Sequence, residues 1–158
     1  MASWPVKGLP TTFLIDRQGR PAFRATGGRE FEPIYQVITR TLLADGHEVP
    51  TAHLAGTDVK ALEAVVSPVE VYERDAAGCE ACEALVAEVS PPSHGVGYEI
   101  AFALGLGKPV LCLYQEGRPV SKMITGNTRS NLRVAAYRDT EQAAVLMRSF
   151  LSQVTANL

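Results

Sequence analysis

Residues 84–114 read ALVAEVSPPSHGVGYEIAFALGLGKPVLCLY, and the architecture follows from them. Ala84–Val89 and Val110–Tyr114 are near-continuous apolar runs, the composition of parallel strands buried on both faces. Between them, a loop rich in Ser, Pro and Gly leads into a helix predicted over Gly97–Leu106. Gly107 stops that helix and Lys108-Pro109 turns the chain back. Strand, helix and strand in this order make a βαβ unit, and ligands of open α/β sheets bind beyond the carboxyl ends of the strands. The loop after Val89 is therefore the first place to look for chemistry.

Working outward, Leu132–Tyr137 reads as a further strand and Thr140 to about Val154 as an amphipathic helix. Upstream, a helix is predicted from about Val69 to Cys82. Ile34, Val37, Ile38 and Leu42 fall at i, i+3, i+4 and i+8, which predicts an amphipathic helix over Glu32–Ala44 stopped by Gly46. Glu48–Thr51 reads as a short strand before a less regular stretch to Pro68. Near the start, Thr11–Asp16 and Ala22–Ala25 flank the turn Arg17-Gln18-Gly19-Arg20, a predicted hairpin. The expected fold is α/β: a doubly wound, flavodoxin- or Rossmann-like parallel sheet of about five strands with helices on both faces. An N-terminal hairpin extension over 1–26 precedes the domain proper at 27–158.

At 158 residues the chain is long enough to bury a substantial core. Its 46% hydrophobic and 20% charged residues are those of a globular domain. A net charge of −2, from 15 basic and 17 acidic side chains, offers no cationic footprint for a nucleic-acid polymer or an anionic membrane. No apolar run approaches the roughly 18–20 residues of a membrane span, and Met1–Pro5 lacks a signal-peptide layout, so a cytoplasmic protein is expected. Three cysteines make no disulfide framework. His47 and His94 lack Cys or carboxylate partners at ligand spacing, so neither metal nor organic cofactor is expected. Cys79-Glu80-Ala81-Cys82 has the C-x-x-C spacing of a redox pair, but it falls late in a helix, where no thiolate would be stabilised.

In the loop after Val89, Gly95 and Gly97 let backbone approach a ligand closely, and the helix start that follows favours an anion. A dinucleotide fingerprint would need a third glycine where Ile100 stands. Glu99, read as lying in the first helical turn, is either a carboxylate placed to suit the helix dipole or a reactive group.

The stretch Ala84–Tyr114, with Ser121–Asn127 downstream, resembles the nucleoside 2-deoxyribosyltransferase superfamily, nearest to the 2'-deoxynucleoside 5'-phosphate N-hydrolases. Gly27-Gly28-Arg29-Glu30, Tyr35, His53 and Tyr72-Glu73-Arg74-Asp75 fall where that family has similar motifs, so the likeness covers roughly 27–138. The resemblance implies cleavage of the N-glycosidic bond of a 2'-deoxynucleoside 5'-monophosphate through a covalent glycosyl-enzyme on Glu99. It implies that Asp75 contacts the sugar and helps proton transfer to the leaving base. Two carboxylates that close would push their pKa values apart, suiting one nucleophile and one acid. Ser93, Gly95 and Gly97 match the family's 5'-phosphate pocket, with Tyr98 beside them. Ser121 matches a serine supplied across a homodimer interface, and His53 a histidine lining the base pocket. Gly27, Gly28, Arg29 and Asn127 complete the implied substrate contacts. Without the resemblance, Asp75 reads equally as a solvated helix carboxylate, the serines as turn formers and His53 as a surface residue.

The chain also departs from that pattern. Family members begin with a strand carrying a tyrosine and a G-S-I-R-G-G-R-type loop. Here Phe23–Arg29 stands in that place, without the tyrosine and without the Gly-Ser-Ile part. Val6–Arg20 resembles instead the cis-proline strand and hairpin of thioredoxin-like proteins, although the C-x-x-C follows that proline rather than preceding it. Deoxyribosyl transfer between bases and a catalytically silent nucleotide-binding module are the alternative expectations.

Overall fold

The computed structural model describes residues 11–15, 21–24, 32–45 and 67–156. In chain order the elements are β1 (Thr11–Ile15), β2 (Pro21–Arg24), α1 (Glu32–Ala44), α2 (Pro68–Ala81), β3 (Ala84–Glu88), α3 (His94–Gly105), β4 (Val110–Gln115), α4 (Lys122–Thr125), β5 (Leu132–Tyr137) and α5 (Thr140–Ala156). They form one five-stranded sheet in the order β2-β1-β3-β4-β5. β3, β4 and β5 run parallel, with Leu85 opposite Val110 and Val110 opposite Leu132.

Every residue of β3 is buried, as are the first four of β4, which explains why both read as unbroken apolar runs. Alternate side chains divide the core into two layers. Val86, Leu111 and Leu113 pack with Ile34, Ile38 and Leu42 of α1 and Met147, Phe150 and Leu151 of α5. Leu85, Ala87 and Cys112 pack on the other face with Cys79 of α2 and Ile100, Ala103 and Leu104 of α3. Helices on both faces of a sheet with parallel strands make this the doubly wound α/β fold expected from the sequence.

Local chemistry sets the boundaries. Ser67 caps α2 in a reciprocal box, its Oγ accepting the Glu70 N–H at 3.2 Å while Glu70 Oε2 accepts the Ser67 N–H at 2.9 Å. At the far end of α3, Gly107 has φ 76°, a left-handed conformation that favours glycine. The Lys108 N–H there returns to Ala103 O at 3.0 Å and the Gly107 N–H to Leu104 O at 3.2 Å.

The hairpin is built into the sheet. β1 pairs antiparallel with β2 on one side and with β3 on the other, Thr11 opposite Glu88 and Ile15 opposite Ala84. β1 thus brings its amino end to the edge where β3 ends. β2 returns in the direction of β3 and reaches the same edge at Arg24, opposite Thr12. The predicted strand at Glu48–Thr51 lies outside the described residues. Among these, no helix is long and apolar enough to cross a membrane.

Candidate active site

The structure starts α3 three residues earlier than the sequence reading, at His94 rather than Gly97. Ser93 is the reason: its Oγ accepts the Val96 N–H at 3.3 Å, so the chain is already helical through Gly95 and Gly97. Both glycines stand in the first turn rather than in a loop, and both are exposed. A Cβ on Gly95 would meet only Ser93 Oγ, at 3.7 Å, and one on Gly97 would meet nothing within 4 Å. Protein packing therefore does not require glycine at either position.

The earlier start also corrects the placement of Glu99. It lies in the second turn, and α3 has no acidic residue in its first. Helix-dipole stabilisation fades within the first turn, so the dipole or capping role of Glu99 loses its basis.

α2 and α3 lie against the same face of the sheet, and their seam gathers the two carboxylates singled out in the sequence. Burial pushes the Cys79 thiol of α2 up to about 12, with the charge of Glu99, then Cys82, then Asp75 adding to the shift. Glu99 and Asp75 thus act from facing helices on one buried group. Asp75 is part-buried and paired with Arg74, Nε to Oδ1 at 2.9 Å. Above them, Tyr72 and Tyr98 meet edge to face with centroids 6.2 Å apart, and Tyr98 stacks on Phe102 at 6.1 Å. A hydrogen bond to Tyr72 holds the Tyr98 phenol above its usual range.

Other residues named from the sequence spread around this seam. Ser121 caps the short α4, its Oγ accepting the Met123 N–H at 3.3 Å. Asn127 follows α4, and its Oδ1 accepts the Arg129 N–H at 3.1 Å. Val120 and Ile124 pack against the core layer of α2 and α3, which puts Ser121 on the same face of the sheet as Glu99. Gly27, Gly28, Arg29 and His53 lie outside the described residues. Cys79 and Cys82 are both buried free thiols, and the Cys82 Sγ donates to Cys79 O at 3.3 Å.

Two features escaped the sequence reading. A cavity of about 460 Å³ lies at the opposite, amino edge of the sheet, lined by Lys108, Arg133 and Phe150 among others. Nearer the site, Glu88 ends β3 fully buried; its signal was a lone carboxylate inside an apolar strand.

Residues 26–147 match the family model described as nucleoside 2-deoxyribosyltransferase, and the chain belongs to that family. Among its relatives, the 5-hydroxymethyl-dUMP N-hydrolase of Mus musculus is 40% identical over 139 residues, covering 83% of this chain and 80% of that one. A protein of Methanococcoides burtonii, provisionally named 2'-deoxynucleoside 5'-phosphate N-hydrolase 1, is 42% identical over 108 residues, 68% of this chain and 88% of its own. The solved CMP N-glycosidase of Clostridium botulinum shares the fold, with a TM-score of 0.61 over 77% of this chain and 91% of that one, at 21% identity.

Proposed function

We propose that this chain hydrolyses the N-glycosidic bond of 2'-deoxynucleoside 5'-monophosphates, releasing the free base and 2-deoxyribose 5-phosphate. The observation that carries the reading is that Glu99 of α3 and Asp75 of α2 both lie close enough to Cys79 for their charges to raise its thiol, in a chain whose relatives are named as N-hydrolases of such nucleotides.

Glu99 is the nucleophile. Its carboxylate oxygen forms a bond to the anomeric carbon as the C–N bond breaks, and the base leaves with a proton that Asp75 helps to deliver. Water then attacks the glycosyl ester, a C–O bond replaces the ester bond and Glu99 is regenerated. The sum is nucleotide plus water giving base plus sugar phosphate. Ser93 and the open first turn at Gly95 and Gly97 hold the 5'-phosphate, where the positive end of the α3 dipole suits an anion. Tyr98 lines the same mouth. Gly27, Gly28, Arg29, His53 and Asn127 remain candidate substrate contacts on the family pattern, and the boundary at about residue 26 between hairpin extension and family domain is one of sequence likeness, since the hairpin strands join the same sheet. The residues named here call for no metal or organic cofactor.

The working unit in this reading is a homodimer in the cytoplasm, with Ser121 reaching the partner's site. Supporting it, Tyr72, Tyr98 and Met123 are exposed at 54%, 54% and 84%, an apolar surface around the seam that a second copy would cover.

Chromatography of base release from the four common deoxynucleoside monophosphates, for the native chain beside Glu99→Ala, tests the chemistry. Release that vanishes in the variant is expected. No release from the folded native chain would put the silent binding module first, and exchange of bases between nucleosides would make it a transferase. Mixing Glu99→Ala with Ser121→Ala chains tests the dimer: a shared site regains activity, up to about a quarter of native in a statistical mixture of dimers.

A further inference from the structure

Glu88 differs chemically from everything around it. It closes β3 after four apolar residues and is 0% exposed, a placement carboxylates take only with partners. Its Oε1 accepts three hydrogen bonds: from the Ser90 N–H at 3.2 Å, from the Ser90 hydroxyl, and from the Tyr137 hydroxyl at 3.1 Å. Ser90 Oγ accepts in turn the Gln115 N–H at 2.7 Å. One oxygen therefore ties the turn after β3 to the end of β5, and through Ser90 to the end of β4. Glu88 Oε2 is buried with no hydrogen-bond partner among the described residues.

Strand alternation puts Glu88 with Ala84 and Val86, on the α1 and α5 face of the sheet. Glu99 and Asp75 are on the other face, so Glu88 is no third carboxylate for the substrate. Its reach to the site runs through the backbone. Between Ser90 and the α3 cap at Ser93 stand only Pro91 and Pro92, whose rings fix φ and make a stiff arm. A clamp on Ser90 is thereby transmitted to Ser93, where α3 begins.

We infer that Glu88 is a positioning residue for the α2–α3 site: its carboxyl clamps the 89–93 turn to β4 and β5, and the clamp fixes where α3 starts and where Glu99 stands. Burial raises the carboxyl above its usual range, against the hydrogen bonds of Ser90 and Tyr137 and the positive charge of Arg118 beyond β4. Only the activity readout of this inference rests on the proposed N-glycosidase function.

The test compares the full chain with Glu88→Gln, Glu88→Leu and Tyr137→Phe, the last a milder cut should Glu88→Leu not fold. Amide hydrogen exchange of the 89–97 segment and of Gln115 reads the clamp directly, whatever the chain catalyses. Exchange should quicken about tenfold or more in Glu88→Leu, measurably in Tyr137→Phe, and stay within about threefold of native in Glu88→Gln. On deoxynucleoside monophosphates, folded Glu88→Leu should lose about tenfold or more in kcat, with Glu88→Gln restoring it. Unchanged exchange in both Glu88→Leu and Tyr137→Phe overturns the inference. So does native kcat in folded Glu88→Leu, since a merely structural residue would lower thermal stability and leave kcat alone. Should the native chain release no base, the exchange result decides the inference by itself and the failure belongs to the proposed function.

Discussion

The two halves of the sheet follow different rules. In the half formed by β3, β4 and β5, parallel strands deliver their carboxyl ends to one edge. Turns leaving that edge carry Ser93 after β3 and Ser121 after β4, and helix α3 raises Glu99 above it. In the other half, β1 runs antiparallel beside β3 and brings only its amino end, Thr11, to that edge. Among the described strands of this half only β2 ends at that edge, at Arg24, and it lies two strand spacings from β3, roughly 10 Å. The comparison teaches that direction within the sheet, more than strand composition, decides which segments can take part in chemistry.

The sharpest break would come from Glu99. If chemistry belongs to the parallel half, Glu99→Ala should lower the rate of base release by roughly a thousandfold or more, and Asp75→Asn by about a hundredfold. Retained release in Glu99→Ala would move the chemistry elsewhere. Next in size is the core beneath that half. Leu111 is fully buried in central β4, and Leu111→Ala should cost about 3 kcal/mol in urea unfolding. A much smaller loss would mean that β4 is not the structural centre. A subtler contrast is in opening: among the described strands β2 has a partner on one side only, so its amides should exchange at least about tenfold faster than those of β4. Equal rates would show hairpin and parallel strands opening as one unit.

The smallest effect is one of pH. Glu88 has its native pKa raised, chiefly by burial, so its folded form binds the proton more tightly than its unfolded form does. The stability that the carboxyl contributes is complete below its unfolded pKa, about 4.3. It is lost as pH rises through the folded value. Thermal melting over that window should fall with pH in the native chain relative to Glu88→Gln, and parallel curves for the two would refute the upward shift of Glu88.

The parallel half was legible in the sequence because burial on both faces leaves its mark locally. Ala84–Glu88 and Val110–Gln115 are apolar without alternation, and Gly107 with Lys108-Pro109 punctuates them. The start of α3 was misread because glycine weakens a helix interior, yet the hydroxyl of Ser93 outweighs that preference at a first turn. The candidate carboxylates were legible only in part: Glu99 and Asp75 were named, but that both come near Cys79 depends on α2 and α3, two helices separated by a strand. Where β1 would pair was not legible at all. A hairpin's own turn fixes β1 against β2, whereas the choice of β3 as second neighbour, and its direction, is settled by contacts about 70 residues away in the chain, which no local pattern carries. The clamp of Glu88 was hidden for the same reason, since Tyr137 comes from the last strand.

The three cysteines lend the layer beneath the site one more property. Cys79, Cys82 and Cys112 are all buried within it, and burial pushes the thiols of Cys79 and Cys112 up to about 12. Alkylating reagents attack the thiolate, so the intact protein should resist them. Each labelled molecule then records an occasion on which the layer under α2 and α3 came apart, and the chain carries a built-in gauge of its own integrity without any added dye.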